Sequence, residues 1–560
     1  METEDKNVLT DEQPEVQPDV QAQADEQPET PAAADGTAVA TKPYKGFAGK
    51  LDKFFGISKA KSSFLTEIFA GLTTFLAMAY ILTVNPNQIA GFNPSAPLWS
   101  SVFIATALGA LIGTLLMALF AKMPLAQAPG MGLNSALGGI VGGYAYGIGF
   151  SFGTAMLMVL ISGVLFLVLT VVPCGRDKET GRLIGIREKI FESIPAGIRV
   201  AIPVGIGLFI AYIGFQNSGI IVHNDYTQVD LVNFTNWGEQ VINVGAGVGF
   251  AAKTAIVAFI SLFAIAILSH FKVKGSVILG ILIATLAGMC FGNGVVVNFN
   301  TIAGKTDGVT WKFWENFSNF FSFDTDKGGS FFAAFHDISF PAGSALTVIV
   351  IILSFCMIDM FDTMGTVIGC CAKANLLDEN GKPLRFNRIM LSDAIATCSG
   401  AMLGTSTVTT FVESGTGVAA GGKTGMTALI TSLLFLLSIF LLPIFAFIPS
   451  AAAAGALIYV GVLMMSNVKN IDFSDLRVAV PAFLTIIMMP LAYSITDGIG
   501  IGMISYVIIN IICYVVDIIK YAVANKKGNT AVAKPKWNVS VVLGIITVLF
   551  LLYLFLPASL

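Results

Sequence analysis

Met123 to Gly139 reads MPLAQAPGMGLNSALGG, and Gly404 to Gly422 reads GTSTVTTFVESGTGVAAGG. Each stretch falls where the chain is otherwise a run of apolar helices, and each is wrong for a helix facing hydrocarbon. Pro124, Pro129 and glycines 130, 132, 138 and 139 interrupt the first. A β-branched run, then Glu413 and further glycines, interrupts the second. Proline and glycine at this density break a helix, and the freed backbone groups cannot face lipid. Such backbone persists at membrane depth only when protein buries it or when it lines a cavity. The competing reading is an ordinary helix whose small residues serve close packing; Glu413 fits that reading poorly.

The rest of the chain supplies the membrane context. It has 560 residues, of which 55% are apolar and only 12% charged. Mean hydropathy is +0.78, and a water-soluble domain carries about twice that share of charge. Apolar stretches of spanning length fall near 66–84, 101–120, 124–143, 151–173, 197–215, 248–269 and 273–297. A second set falls near 342–370, 388–403, 404–422, 424–447, 451–467, 478–494 and 497–518, and one further stretch covers 538–557. The interrupted segments are the third and tenth spans, hence the third of each set of seven. Seven is odd, so the second set enters the membrane from the opposite side. That is the pattern of a transporter built from inverted repeats, with its site between broken segments.

Loop charge tests the count. With the N-terminus in the cytoplasm, the even-numbered loops should carry the Lys and Arg. They hold Lys122; Arg176, Lys178, Arg182, Arg187 and Lys189; Lys272 and Lys274; Lys373, Lys382, Arg385 and Arg388. Lys423, then Lys469 and Arg477, then Lys520, Lys526, Lys527, Lys534 and Lys536 continue the series. The loop 216–247 has none, and 298–341 mixes Lys305, Lys312 and Lys327 with acids. Adding or removing one span would invert everything downstream.

Residues 1–40 are crowded with acids and rich in Pro, Gln and Ala, with a single lysine. They lack the basic start and apolar core of a signal peptide, and residues 1–53 are expected to form a disordered cytoplasmic tail.

A carboxylate within a span costs several kcal/mol and is a functional candidate by default. Glu413 is one; Asp359 and Asp362, in CMIDMFDTMGT, are the others. The two aspartates are three apart, on similar faces of one helix, and no basic residue lies near them in sequence. Such acids can hold a proton or accept hydrogen bonds from an N–H-bearing solute, and both together would couple solute to proton movement. The alternative is that they bond helix ends or hydroxyls. Glu67, Asp393, Asp497 and Asp517 lie near span ends, where interfacial anchoring is expected.

Other candidates carry less. Seven cysteines, at 174, 290, 356, 370, 371, 398 and 513, show no C-x-x-C spacing and read as packing residues. His223, His270 and His336 are scattered, so no metal is expected. Gly417 to Thr424, GVAAGGKT, matches the phosphate-binding loop pattern literally. That loop needs a strand before it, a helix after it and a soluble α/β domain around it, and here it lies between two spans. No catalytic residue, cofactor or nucleic-acid partner is expected.

Six stretches also carry a family likeness: TEIFAGLTTFLAMAYILTVNP from Thr66, APGMGLN from Ala128, DMFDTMGT from Asp359, LLDENGK from Leu376, LGTSTVTTFVESGTGVAAGGKTG from Leu403 and YSITDGIGIGMISY from Tyr493. Together they resemble the hypoxanthine/guanine/adenine permease branch of the xanthine/uracil (nucleobase–ascorbate) transporter family, over about Phe54 to Val516. The resemblance implies an all-α polytopic fold of fourteen spans in two inverted repeats. A core domain would comprise spans 1–4 (residues 54–174) and 8–11 (342–448). A gate domain would comprise spans 5–7 (175–341) and 12–14 (449–520), leaving 521–560 as a basic linker and extra apolar segment. It further implies short antiparallel strands in spans 3 and 10 that meet at the membrane midplane. The implied substrate-binding residues are Asn134, Asp362, Thr366 and Glu413, with Val412 and Ser414 flanking the last. Asp359, Asp362 and Glu413 are the implied proton-coupling acids. The implied partners are a purine base, a proton, the lipid bilayer of a bacterial inner membrane and, through the gate domain, a second copy of the chain. One departure is Ser135-Ala136-Leu137, where the branch usually continues with Ala and aromatic residues. The function expected is proton-coupled import of adenine, guanine or hypoxanthine. The alternatives are a transporter of the same fold for xanthine, uracil or an anion, and an enzyme or ATP-driven pump, which would need a soluble domain that the chain lacks room for.

Overall fold

The broken segments fold as the proline and glycine content requires: each is a three-residue strand followed by a helix. Strand β1 (Gln127–Pro129) leads into α5 (Met131–Val141), and β8 (Val408–Thr410) leads into α16 (Ser414–Ala419). The two strands pair antiparallel, Gln127 opposite Thr410, Ala128 opposite Thr409 and Pro129 opposite Val408. This is a computed structural model, and it describes residues 46–90, 96–141, 149–176, 183–224, 226–235, 237, 241–244, 247–292, 295–306, 309–325, 328–341, 344–378, 383–526 and 534–555.

Ahead of β1 come α1 (Gly46–Phe55), α2 (Phe64–Met78), α3 (Ile81–Ile89) and α4 (Pro97–Leu116). The tail expected over 1–53 therefore stops short: its last residues are helical, because GFAGKLDKFF places apolar side chains at helical spacing. Residues 1–45 lie outside the described residues. After α5 follow α6 (Phe152–Val171), a hairpin of β2 (Pro173–Arg176) and β3 (Leu183–Gly185), α7 (Ile186–Ser193) and α8 (Ala196–Asn217). Two more hairpins, β4 (Ile221–Asn224) with β5 (Gln228–Leu231) and β6 (Val241–Val244) with β7 (Gly247–Phe250), lead to α9 (Ala251–His270) and α10 (Ser276–Met289). Three short helices, α11 (Phe299–Ile302), α12 (Phe313–Phe320) and α13 (Ala333–His336), precede α14 (Ala345–Lys373) and α15 (Phe386–Leu403). Beyond α16 come α17 (Gly425–Ser438), α18 (Leu442–Phe447), α19 (Ser450–Met465), α20 (Leu476–Leu491), α21 (Ile495–Lys526) and α22 (Val541–Phe555). The expectation of an all-α chain with one strand pair thus needs three loop hairpins added.

Among the described residues nine helices are long and apolar enough to cross a membrane, with four shorter apolar ones beside them. Burial is inverted relative to a protein in water. Thr106, Thr114, Gln127, Asp393, Thr397 and Thr405 are wholly buried, while Ile508, Ile512, Val515 and Ile519 of α21 lie exposed. Lipid is the solvent that makes this arrangement stable.

Three devices hold the strand pair. Gly113 on α4 and Gly400 on α15 close on Val408 from two sides; a Cβ on either would stand 2.8 Å and 2.7 Å from its methyl carbons. Hydroxyls satisfy the broken backbone: Thr114 Oγ1 accepts from the Gln127 N–H and donates to its carbonyl, both at 2.9 Å. Main-chain bonds beyond the ladder finish the work, from Gly130 N to Thr407 O and from Phe411 N to Ala126 O. The run GTSTVTT is therefore a hydroxyl-lined strand, with side chains doing what water does for loops elsewhere. On the other flank α8 packs on α19 through small residues, and a Cβ on Gly461 would stand 2.6 Å from the Gly207 carbonyl oxygen.

Candidate functional site

Where β8 ends, the chain turns Glu413 toward a cavity between two unlike walls. Asp362 and Thr366 of α14, Thr410 at the end of β8 with Phe411, Val412 and Glu413 after it, and Met131 and Gly132 at the start of α5 form one wall. Ile206 and Ile210 of α8, with Val460 and Met464 of α19, form the other. The first wall carries every polar group; the second is aliphatic apart from the Met464 thioether. About 380 Å³ of space lies between them, part of it open.

Glu413 is 6% exposed. Its Oε1 accepts a 2.7 Å hydrogen bond from the Tyr80 hydroxyl, and its Oε2 has no partner among the described residues. Tyr80 sits at the joint between α2 and α3, itself buried, so the hydroxyl is delivered by a break in the first span. Asp362 is half-buried, and Thr409 Oγ1 is a donor to it at 3.4 Å. Two carboxylates thus face one small cavity, each with acceptor capacity to spare.

Of the residues expected to bind substrate, Asp362, Thr366, Val412 and Glu413 line this cavity. Asn134 and Ser414 are buried beside it and engaged elsewhere. The Ser406 hydroxyl donates to Asn134 Oδ1, while Ser414 Oγ accepts from the Ala126 N–H at 3.0 Å. Each ties one broken segment to the other. Asp359 also lies outside the cavity, buried against α15, where its Oδ2 accepts from Thr397 Oγ1 at 3.0 Å. Three residues along a helix is a rotation of about 60°, enough to put the two aspartates on different neighbours.

Two acids expected at the interface are fully buried instead. Glu67 accepts from the backbone N–H groups of Lys423 and Thr424, at 3.1 and 3.3 Å, and from Thr427 Oγ1 at 2.6 Å. The phosphate-loop-like GGKT is therefore the entry to α17, and the anion on its N–H groups is the chain's own carboxylate. Asp393 on α15 accepts at Oδ1 from Gln127 Nε2 (2.9 Å) and Thr363 Oγ1 (2.8 Å). Its Oδ2 stands 3.5 Å from a guanidinium nitrogen of Arg187. Arg187, counted above as a loop charge, is 2% exposed, with its guanidinium carbon 3.7 Å from the Phe166 ring centroid. Sequence reasoning missed Tyr80 and Arg187. A phenol at the middle of an apolar span was the available signal for Tyr80, since a buried hydroxyl needs a partner.

Glu413 on interrupted backbone and Asp362 on α14, facing an apolar wall inside a bundle of lipid-facing helices, are an arrangement suited to a solute permease. Residues 65–501 match the model of the xanthine/uracil permeases, described as "Permease family". The adenine permease AdeP of Escherichia coli (strain K12) is 36% identical over 465 residues, 83% of this chain and 91% of that protein. The guanine/hypoxanthine permease PbuG of Bacillus subtilis (strain 168) is 36% identical over 459 residues, 81% of this chain and 92% of its own length. The transmembrane domain of a cyanobacterial bicarbonate transporter, BicA, superposes with a TM-score of 0.52 at 13% identity, covering 78% of this chain and 97% of that one; this is a likeness of fold alone. The chain belongs to the xanthine/uracil permease family, in the branch of the adenine and guanine/hypoxanthine permeases.

Proposed function

We propose that the protein imports purine nucleobases (adenine, guanine or hypoxanthine) by proton symport, with Glu413 and Asp362 as the groups that meet the base. The observation that carries this reading is buried Glu413, whose Oε2 has no partner among the described residues, lining a cavity together with Asp362. Purines present ring and exocyclic N–H donors, which suit carboxylate acceptors, and flat faces, which suit the aliphatic side chains of α8 and α19. An anionic solute would be repelled by the same two acids, and among the described residues no cationic side chain lines the cavity.

In this reading a carboxyl group takes a proton from outside, and the base docks against Glu413 and Asp362. The loaded, charge-compensated site then passes between the two walls. Asp359 is the third acid in the coupling. The frame is fourteen spans in two inverted repeats, the N-terminus cytoplasmic, in a bacterial inner membrane. The polar wall belongs to a core domain of spans 1–4 and 8–11, and the apolar wall to a gate domain of spans 5–7 and 12–14. The gate domain would carry the contact of a homodimer. Asn134 and Ser414 take part by fixing the broken segments that present Glu413.

Uptake of radiolabelled adenine, guanine, hypoxanthine, xanthine and uracil into cells that lack their own permeases tests this reading. Accumulation of a purine, collapsing on addition of a protonophore, is expected. Uptake of uracil or xanthine alone, or purine accumulation that a protonophore leaves intact, would overturn it.

A further inference from the structure

Behind the β1–β8 pair, away from the cavity, lies a second polar cluster that takes no part in the solute contacts proposed for Glu413 and Asp362. It is built from Arg187, Asp393, Gln127, Thr363, Thr397 and Asp359. Arg187 enters from α7, in the connection between α6 and α8. Its guanidinium is buried against the Phe166 ring, and among the described residues its one close polar neighbour is Asp393 Oδ2 at 3.5 Å.

Burying an arginine is expensive, and a buried ion pair seldom repays the desolvation of both charges in stability. The worth of such a pair lies in what it positions. Asp393 Oδ1 receives Gln127 Nε2 and Thr363 Oγ1. Gln127 is the β1 residue opposite Thr410, and its Nε2 also reaches Thr410 Oγ1 at 3.3 Å. Thr363 is the residue after Asp362 on α14. Thr410 and Asp362 both line the cavity. Asp393 is therefore a hub bonded to the residue behind each half of the polar wall, and Arg187 is the cation beside that hub. The segment carrying Arg187 is held in turn by the residue just before α22, where Ser540 Oγ donates to the Ser193 carbonyl at 3.3 Å.

We propose that Arg187 is a positioning residue of the transport site: through Asp393 it braces β1 and α14 from behind and so fixes Thr410 and Asp362 at the cavity wall. The proposal rests on the transport reading for its functional half only.

The test uses the full-length protein in four forms, wild type, Arg187→Gln, Asp393→Asn and the double variant, with Arg187→Lys as a fifth in the uptake measurement. Adenine uptake is measured over a range of concentrations and normalised to the amount of each protein in the membrane. Arg187→Gln leaves Asp393 and Asp359 buried with no cation beside them, and its KM should rise about tenfold or more. The double variant removes the nearer of those charges while keeping an acceptor for Gln127 and Thr363, so its KM should fall part of the way back toward the wild-type value. Arg187→Lys, a cation without the planar fork, should lie between. A residue needed only for folding would lower abundance and leave the normalised KM unchanged; that result overturns the proposal. So does a double variant whose effect equals the product of the single ones. Where the wild type takes up guanine or hypoxanthine and not adenine, that base replaces adenine in the assay; absence of uptake of all three by the wild type would instead refute the transport reading. Melting the same four purified proteins then decides the brace: recovery of Tm in the double variant relative to Arg187→Gln supports it, and additive losses overturn it.

Discussion

The two interrupted segments have the same build, a three-residue strand and then a helix, yet they contribute differently. From the first, the cavity receives a thioether and a bare backbone, Met131 and Gly132; its polar residue, Asn134, is turned to Ser406. From the second it receives Thr410, Val412 and Glu413. On the function proposed above, the first segment is scaffold and the second carries the chemistry. The two segments break their backbone in the same way, and the side chains placed on the break distinguish them.

Glu413→Gln should have the largest effect. It keeps the shape and the acceptor for Tyr80 but removes the charge, so uptake should be lost or uncoupled from protons while membrane abundance holds. Asp362→Asn should follow, and Asp359→Asn should be milder, because Asp359 bonds Thr397 outside the cavity; the reverse order would move the working acid to the far side of α14. Tyr80→Phe deletes a charge-assisted hydrogen bond worth about 1.5–3 kcal/mol, so adenine uptake efficiency should drop about tenfold or more. Asn134→Ala should affect transport least. It strands the Ser406 hydroxyl at a cost of about 1–3 kcal/mol, read as a lower melting temperature with adenine KM near wild type.

This difference between the segments is only half legible in the sequence. Pro129, Gly130 and the hydroxyl run before Glu413 announce broken backbone, because at that density they leave polar backbone that a helix facing lipid cannot satisfy. Glu413 and Asp362 stand out because a carboxylate in an apolar span is costly to bury and seldom kept without a role. Asn134 and Ser414 look equivalent to them, since a sequence gives distance along the chain and not the direction of a side chain across a three-residue ladder. Asp393 and Glu67 are misplaced for a related reason. Nearness to a span end in residue number reads as nearness to water, whereas the start of α2 is covered by the turn into α17, and Asp393 lies at mid-helix on α15 facing Gln127 and Thr363. Arg187 shows the limit most plainly: a loop arginine scores for topology whether it meets solvent or folds back beneath Phe166. Finding its partner requires knowing that α7 lies against α6.

The division between scaffold and chemistry is tested most directly by the adenine-induced rise in melting temperature of the purified wild-type, Asn134→Ala and Glu413→Gln proteins. A ligand stabilises only the fold that binds it. The wild type and Asn134→Ala should both gain stability as adenine is added, the second from a lower starting point, and Glu413→Gln should gain none. A full gain in Glu413→Gln together with none in Asn134→Ala would contradict it, and would make the first broken segment the one that meets the base.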